Sequence, residues 1–276
     1  MNEGTAPSAS PSTPPKESPK ESKTTYLPPG FRNIVPYFLV NGAARFIDFL
    51  KAGLGAEERL RIPLPGGSVM HAELRIGDSI VEVADANEKF AARPMTIHLY
   101  VKDADATYGK ALQAGATSIS KVEDMQWGDR QGVVRDPFGN IWNIGMPKGW
   151  DPGPDGPRSV QPFLHCYDAR KVMAFAKAAF GAEAEGVAES PEGRVLHATV
   201  RINYATIEVD DAEGETQPMP GYFHVYFPNV DKAYAAALGA GASSVETPVD
   251  KDYGERAASV KDPFGNTWFL ATYLGR

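Results

Sequence analysis

Apolar and polar positions along the chain switch between two periods. Ile34 to Val40 is a β-branched and aromatic run, whereas Ser68 to Ile76 and Ser79 to Ala84 alternate, as half-buried strands do. Between these runs, Ala43 to Leu54 sets Phe46, Phe49 and Leu50 on one side at helical spacing and stops at Gly55. Gly77-Asp78 joins Ile76 to Ser79 as a two-residue hairpin turn. Thr96 to Val101 predicts a further strand, about Ala104 to Ala114 a helix ended by Gly115, and Thr117 to Val122 another strand. A last hairpin turns on Asp136-Pro137-Phe138-Gly139, where Pro presets φ and Gly supplies a positive φ. The order is strand, helix, strand, strand, strand, written twice.

The whole pattern then recurs at a constant spacing of 126 positions. Pro36 meets Pro162, Phe49 meets Phe175, His71-Ala72 meets His197-Ala198, and Glu82 meets Glu208. His98 meets His224, Tyr100 meets Tyr226, Arg130 meets Arg256, and Asp136-Pro-Phe-Gly-Asn-x-Trp142 meets Asp262 to Trp268. A gapless offset over more than a hundred residues means two copies of one domain, and it exceeds the 20–50-residue periods of solenoids. The segment Met146 to Ser159 is rich in Pro and Gly, as a linker is. The predicted divisions are a tail over 1–29, a domain over 30–146, a linker over 147–159 and a domain over 160–276.

Strand alternation predicts which side chains share a face. With Gly77-Asp78 as the turn, Glu73 falls opposite Glu82, and His71, Glu73, Arg75 and Glu82 look one way. Ala72, Leu74, Val81 and Val83 look the other way, toward a helix. Thr96, His98 and Tyr100 share a face. A turn confined to Asp136–Gly139 would put Arg130, Gly132, Ile141 and Asn143 together, leaving Trp142 in the core. The second copy repeats the set with His197, Arg201, Glu208, His224, Tyr226 and Arg256, and Trp268 as core. The face reads either as a lined cavity or as the wet side of an antiparallel sheet.

Composition narrows the classes of partner. A formal net charge of −7 argues against nucleic acid and anionic membrane, and no apolar run reaches the ~18 residues of a membrane span. The single cysteine, Cys166, excludes an internal disulfide and reads as a core residue. The tail is nearly all Pro, Ser, Thr, Lys and Glu, which predicts disorder; it lacks a secretory h-region, so a cytoplasmic location is expected.

With these elements in order, "VPYFLVNGAARFIDFLKAGLGAE", "MHAELRIGDSIVEVAD", "IHLYVKDADATYGKALQAGA" and "GDR…DPFGNIW" resemble the vicinal oxygen chelate superfamily of glyoxalase, bleomycin-resistance and dioxygenase proteins. The resemblance implies an α+β fold of two tandem domains, each of paired βαβββ modules whose curved mixed sheets form a cup. It also implies four metal-ligand positions per site. Carried onto this chain they are Val35, Glu82, Thr96 and Asn143, and then Gln161, Glu208, Tyr222 and Phe269. Only the fourth-strand glutamate persists, and recombining halves across the copies supplies no imidazole.

The expectation is therefore no family metal and no other cofactor, a divalent ion being the alternative; His71, His98 and Glu82 would be its displaced two-His-one-carboxylate form. The candidate catalytic residues are Glu82, His98, Glu208 and His224, with His98 paired to Glu82. The candidate ligand-binding residues are His71, Arg75, Tyr100, Arg130, His197, Arg201, Tyr226 and Arg256, with Trp127 nearby; Arg130 has a plainer reading as a partner of Asp136. Three functions compete. One is a metal-free protein binding an oxygenated small molecule. Another is a lyase, isomerase or epimerase with Glu82 or Glu208 as base, or a dioxygenase, and the last is an interaction scaffold. Because relatives with one domain pair as dimers, this tandem chain is expected to be a monomeric pseudo-dimer with a small-molecule ligand.

Overall fold

The computed structural model describes residues 26–148, 159–213 and 217–275. Residues 149–158 of the predicted linker and the tail up to residue 25 lie outside these. Tyr26 and Leu27, which composition assigns to the tail, instead pack with Phe31 against Val35, Ile80, Tyr226 and Ala271.

The first copy runs β1 (Ile34–Val40), α1 (Ala43–Leu54), β2 (Glu57–Pro63), β3 (Val69–Ile76), β4 (Ser79–Asp85), β5 (Thr96–Tyr100), α2 (Ala104–Gln113), β6 (Thr117–Asp124), β7 (Arg130–Arg135) and β8 (Ile141–Met146). The second runs β9 (Val160–Cys166), α3 (Ala169–Phe180), β10 (Glu183–Glu189), β11 (Val195–Ile202), β12 (Ala205–Asp211), β13 (Tyr222–Tyr226), α4 (Val230–Gly239), β14 (Ser243–Asp250), β15 (Glu255–Lys261) and β16 (Thr267–Tyr273). Local chemistry sets the ends. Asp103, Asp168 and Asn229 each accept a hydrogen bond from the backbone three residues on, capping α2, α3 and α4, and Gly55 ends α1 at φ 69°. Among the described residues no helix is long and apolar enough to cross a membrane.

The apolar cores follow the copies. Phe38, Phe46, Leu50, Leu74, Val83, Ile97 and Trp142 share one core, all from the first copy. Phe175, Phe180, Val209, Val225 and Trp268 share the other. The sheets do not follow the copies. β1 pairs antiparallel with β13, and β5 with β9. One eight-stranded sheet therefore runs β14-β15-β16-β13-β1-β4-β3-β2, and the other β10-β11-β12-β9-β5-β8-β7-β6. Each sheet takes one βαβββ module from each copy, because a module standing alone would leave its inner strand unpaired along one edge. The concave face of each sheet is a cup built half from each copy.

Two further features lock this exchange. Asp78 Oδ1 accepts from Ser159 N at 2.9 Å, and Ser159 Oγ accepts from Asp78 N at 3.2 Å, so the first hairpin turn is clasped by the start of the second copy. At the equivalent place Asn33 Oδ1 accepts from Tyr204 N, at a turn where Asn203 takes φ 54°. The duplicated Asp-Pro-Phe-Gly-Asn-x-Trp is a hydrogen-bonded knot: buried Asp136 accepts from Phe138 N, Asn140 N, Asn140 Nδ2 and Trp142 Nε1. Asn140 in turn accepts from Met95 N. Asp262, Asn266, Trp268 and Gly221 repeat it.

That knot corrects one register. Because Asn140 belongs to the loop, Arg135 pairs with Ile141 and Gly132 with Ile144, one residue off the sequence expectation. A one-residue slip exchanges faces. Arg130 therefore lies on the helix side with Trp142, away from the cup, and its partners are Asp105 on α2 and Asp124, not Asp136. Arg256 repeats this with Asp231 and Asp250. By the same slip Glu255 turns into the cup.

Candidate functional site

The hairpin of β3 and β4 has the predicted register, with Glu73 opposite Glu82. Glu82, 1% exposed, lies on the floor of the first cup. Its histidine comes from the other copy: His224 Nδ1 stands 3.0 Å from Glu82 Oε1. His98 is in the other sheet, which rules out both the Glu82–His98 pair and the displaced His71–His98–Glu82 metal set. His98 Nδ1 instead meets Glu208 Oε2 at 3.1 Å. The expected catalytic residues are thus brought together as two crossed pairs.

Around the first pair, His224 Nε2 is 3.6 Å from Glu255 Oε2, and Tyr226 OH donates to Glu255 Oε1 at 2.9 Å. Tyr37 OH lies 3.1 Å from His71 Nδ1, and His71 Nε2 is 3.9 Å from Glu73. Burial works against a charged His224, but the carboxylates of Glu82, Glu255 and Glu73 outweigh it and raise its pKa to about 9. Burial, then Glu82 and Glu255, push the Tyr226 phenol well up. Burial, then Glu255, Glu246 and Glu82, push the Tyr253 phenol on the β14–β15 loop up as well. Beyond Tyr37 a cavity of ≈ 360 Å³ opens among Leu39, Met70, Ala84, Phe90 and Phe269.

The second cup has the same skeleton and a different lining. Glu208, 2% exposed, accepts from Tyr100 OH at 3.2 Å and Gln161 Nε2 at 3.1 Å, with His197 Nε2 at 3.7 Å. Burial alone would raise its carboxyl, but His197 and His98 prevail and hold it at about 2. The nearby Glu208 carboxylate raises His197 in return. Where the first cup has Leu39 and Ala84, the second has a His165–Asp210 pair at 2.8 Å.

Arg75 and Arg201 keep the predicted face but are engaged at the sheet edges, Arg75 by Glu57 and Arg201 by Glu183 and Glu185. Trp127, the counterpart of Tyr253, is 64% exposed. Sequence reasoning missed Glu255 and Tyr37 as cup residues and named Phe269 only as a family ligand position. Tyr37 and Phe269 were legible from strand alternation; Glu255 was hidden by the register slip.

The family ligand positions do not suit a metal. In the first cup they hold Val35, Glu82, Tyr222 and Phe269. Val35 is 1% exposed within an apolar patch, the Phe269 ring stacks on Tyr222, and Tyr222 OH donates to Ala91 O. In the second they hold Gln161, Glu208, Thr96 and Asn143, and Gln161 is bonded to Glu208 and Thr206. One carboxylate with amide and hydroxyl oxygens holds a divalent ion poorly. Among the described residues no three His, Cys, Asp or Glu side chains converge as a metal site.

A family model described as the Glyoxalase/Bleomycin resistance protein/Dioxygenase superfamily matches residues 34–144 and 161–270. Uncharacterized proteins of Mycobacterium bovis and Mycobacterium tuberculosis are each 42% identical over 41% of this chain, covering 81% and 72% of their own lengths. Glyoxalase I of Zea mays superposes with a TM-score of 0.65 at 15% identity, over 87% of this chain and 92% of that one. An identity that low shows shared fold alone.

Proposed function

The chain belongs to the glyoxalase/bleomycin resistance protein/dioxygenase superfamily, and from that premise we propose that it binds a small, polar organic molecule in its cups without the family metal. One observation carries the reading: the persistent glutamate of each cup is paired with a histidine of the other copy, Glu82 with His224 and Glu208 with His98, Tyr100 and Gln161 adding hydrogen bonds to Glu208, while its would-be co-ligands are Val35 and Phe269 or Gln161 and Asn143. A site arranged in this way offers hydrogen bonds and aromatic surface, which suit recognition of an oxygenated ligand.

The competing reading is a lyase, isomerase or epimerase with Glu82 or Glu208 as base. A carboxylate held at about 2 binds protons too weakly to take one from carbon near neutral pH, which weighs against Glu208 in that role. The tandem chain is proposed to act as a monomer, since fusion makes the pairing of its modules intramolecular.

Elemental analysis of untagged protein, with a thermal-shift screen of dicarbonyl–thiol adducts, catechols and glycopeptide drugs, tests the reading. The expected result is no stoichiometric metal, a melting temperature unmoved by chelator, and a rise with at least one compound. Stoichiometric zinc, iron, nickel or manganese, lost together with stability in chelator, would overturn it.

A further inference from the structure

We infer that the first cup is a site for an aromatic molecule carrying a protonated amine. This rests on the small-molecule reading above and names the ligand class for one of the two cups.

The charges come first. Arg75, Arg130, Arg201 and Arg256 look in sequence like receptors for an anion, yet each is engaged by one or two carboxylates, and two of them lie on the helix side of the sheet. The first cup then gathers Glu73, Glu82 and Glu255. Glu82 is paired with His224, and Glu73 is met by Arg59 at 3.8 Å. Glu255 has only a share of His224, which is bonded to Glu82. Glu255 is 7% exposed, one of its oxygens accepts from Tyr226, and the other, Oε2, has no hydrogen-bond partner. A buried carboxylate oxygen without a donor is costly and favours an incoming cation. His224, 3.6 Å away and already bonded to Glu82, gives it charge without a hydrogen bond.

The body of the ligand follows from the walls. Tyr37 lines the ≈ 360 Å³ cavity, a volume suited to a small ligand, and also touches the acid cluster through His71. Phe269 packs on Tyr37 at 5.4 Å and on Phe90 at 5.1 Å, so the cavity is faced by flat rings. A planar apolar group lying there would extend its ammonium past Tyr37 to reach Glu255.

The second cup departs from this arrangement at several positions. Asp129 stands where Glu255 does, one methylene shorter, and Thr199 replaces Glu73. Asn143 replaces Phe269, and the His165–Asp210 pair replaces the apolar floor of Leu39 and Ala84. Glu208 already has two imidazoles beside it. One amine site per chain is the consequence.

The test is calorimetric titration of the full chain with tryptamine, tryptophol and indole-3-propionate, which share a ring and a two-carbon arm and differ in charge. Tryptamine should bind at one site per chain, about tenfold more tightly than either of the others, and Glu255→Gln should remove that preference. If Glu255→Gln gives no cooperative melt, the ranking of the three probes on the unaltered protein decides. Equal or tighter binding of tryptophol or indole-3-propionate, two tryptamines per chain, or no binding of any probe overturns the inference. Binding of the uncharged or anionic probe would leave the small-molecule reading standing, since that reading falls to the metal analysis and the broader ligand screen.

Discussion

His224 and Glu208 give the cups their pH response. Folded His224 holds its proton up to about 9, against 6.5 for an unperturbed histidine. It therefore contributes stability that is fully present below pH 6.5 and is lost as pH rises from 6.5 through 9. Glu208 works in the opposite sense: held at about 2 against 4.5, it contributes stability above pH 4.5 that is lost as pH falls toward 2. Melting temperature should accordingly fall on both sides of neutrality. His224→Gln should flatten the alkaline limb and leave the acid limb, as differential scanning calorimetry from pH 3 to pH 10 would read. An unchanged alkaline limb would place the proton elsewhere. The glutamates and their shared face were legible, because a two-residue turn leaves only one register, whereas their burial was not, since the same pattern fits a wet sheet face. Their partners were not, since nothing local in His98 or His224 says which module lies beside it.

Among the elements, turns decide the outcome. Gly77 takes φ 59°, and a Cβ there would collide with Ser159 of the other copy. Gly77→Ala should cost about 2 kcal/mol from the left-handed backbone, plus loss of the Ser159 clasp. Gly139→Ala, where the nearest contact is a comfortable 3.5 Å to Pro94, should cost the backbone component alone. Denaturant melts of both variants would show whether the difference between them exists. The same elements explain what the sequence misled. Asp-Pro-Phe-Gly reads as a four-residue turn, but Asn140 is bound into the loop by Asp136 and Met95, and the added residue turns every later side chain over. Arg130 and Arg256 moved out of the cup by that step, and Glu255 moved in.

For the molecule as a whole, cores and sheets divide the chain differently, and each copy depends on the other to complete its sheets. Unfolding should then be a single transition, since separating the copies exposes β1, β5, β9 and β13. A fragment of residues 26–148 keeps its own core but leaves two inner strands bare. It should pair with itself, whereas the full chain should run as a monomer in light scattering. A monomeric, stably folded fragment would argue that the shared sheets contribute little. Duplication was fully legible, because a gapless offset needs no geometry. Exchange between the copies was expected only through the family resemblance, as a pseudo-dimer, because pairing a strand with its own copy or with the other satisfies the same hydrophobic pattern.

The central claim, that each cup is assembled from both copies, is tested most directly by a double-mutant cycle on unfolding free energy. Glu82→Gln and His224→Asn should be coupled by about 1–3 kcal/mol, and Glu82→Gln and His98→Asn should be additive within about 0.5 kcal/mol. Coupling of Glu82 to His98 with none to His224 would contradict the account, because each copy would then close its own cup.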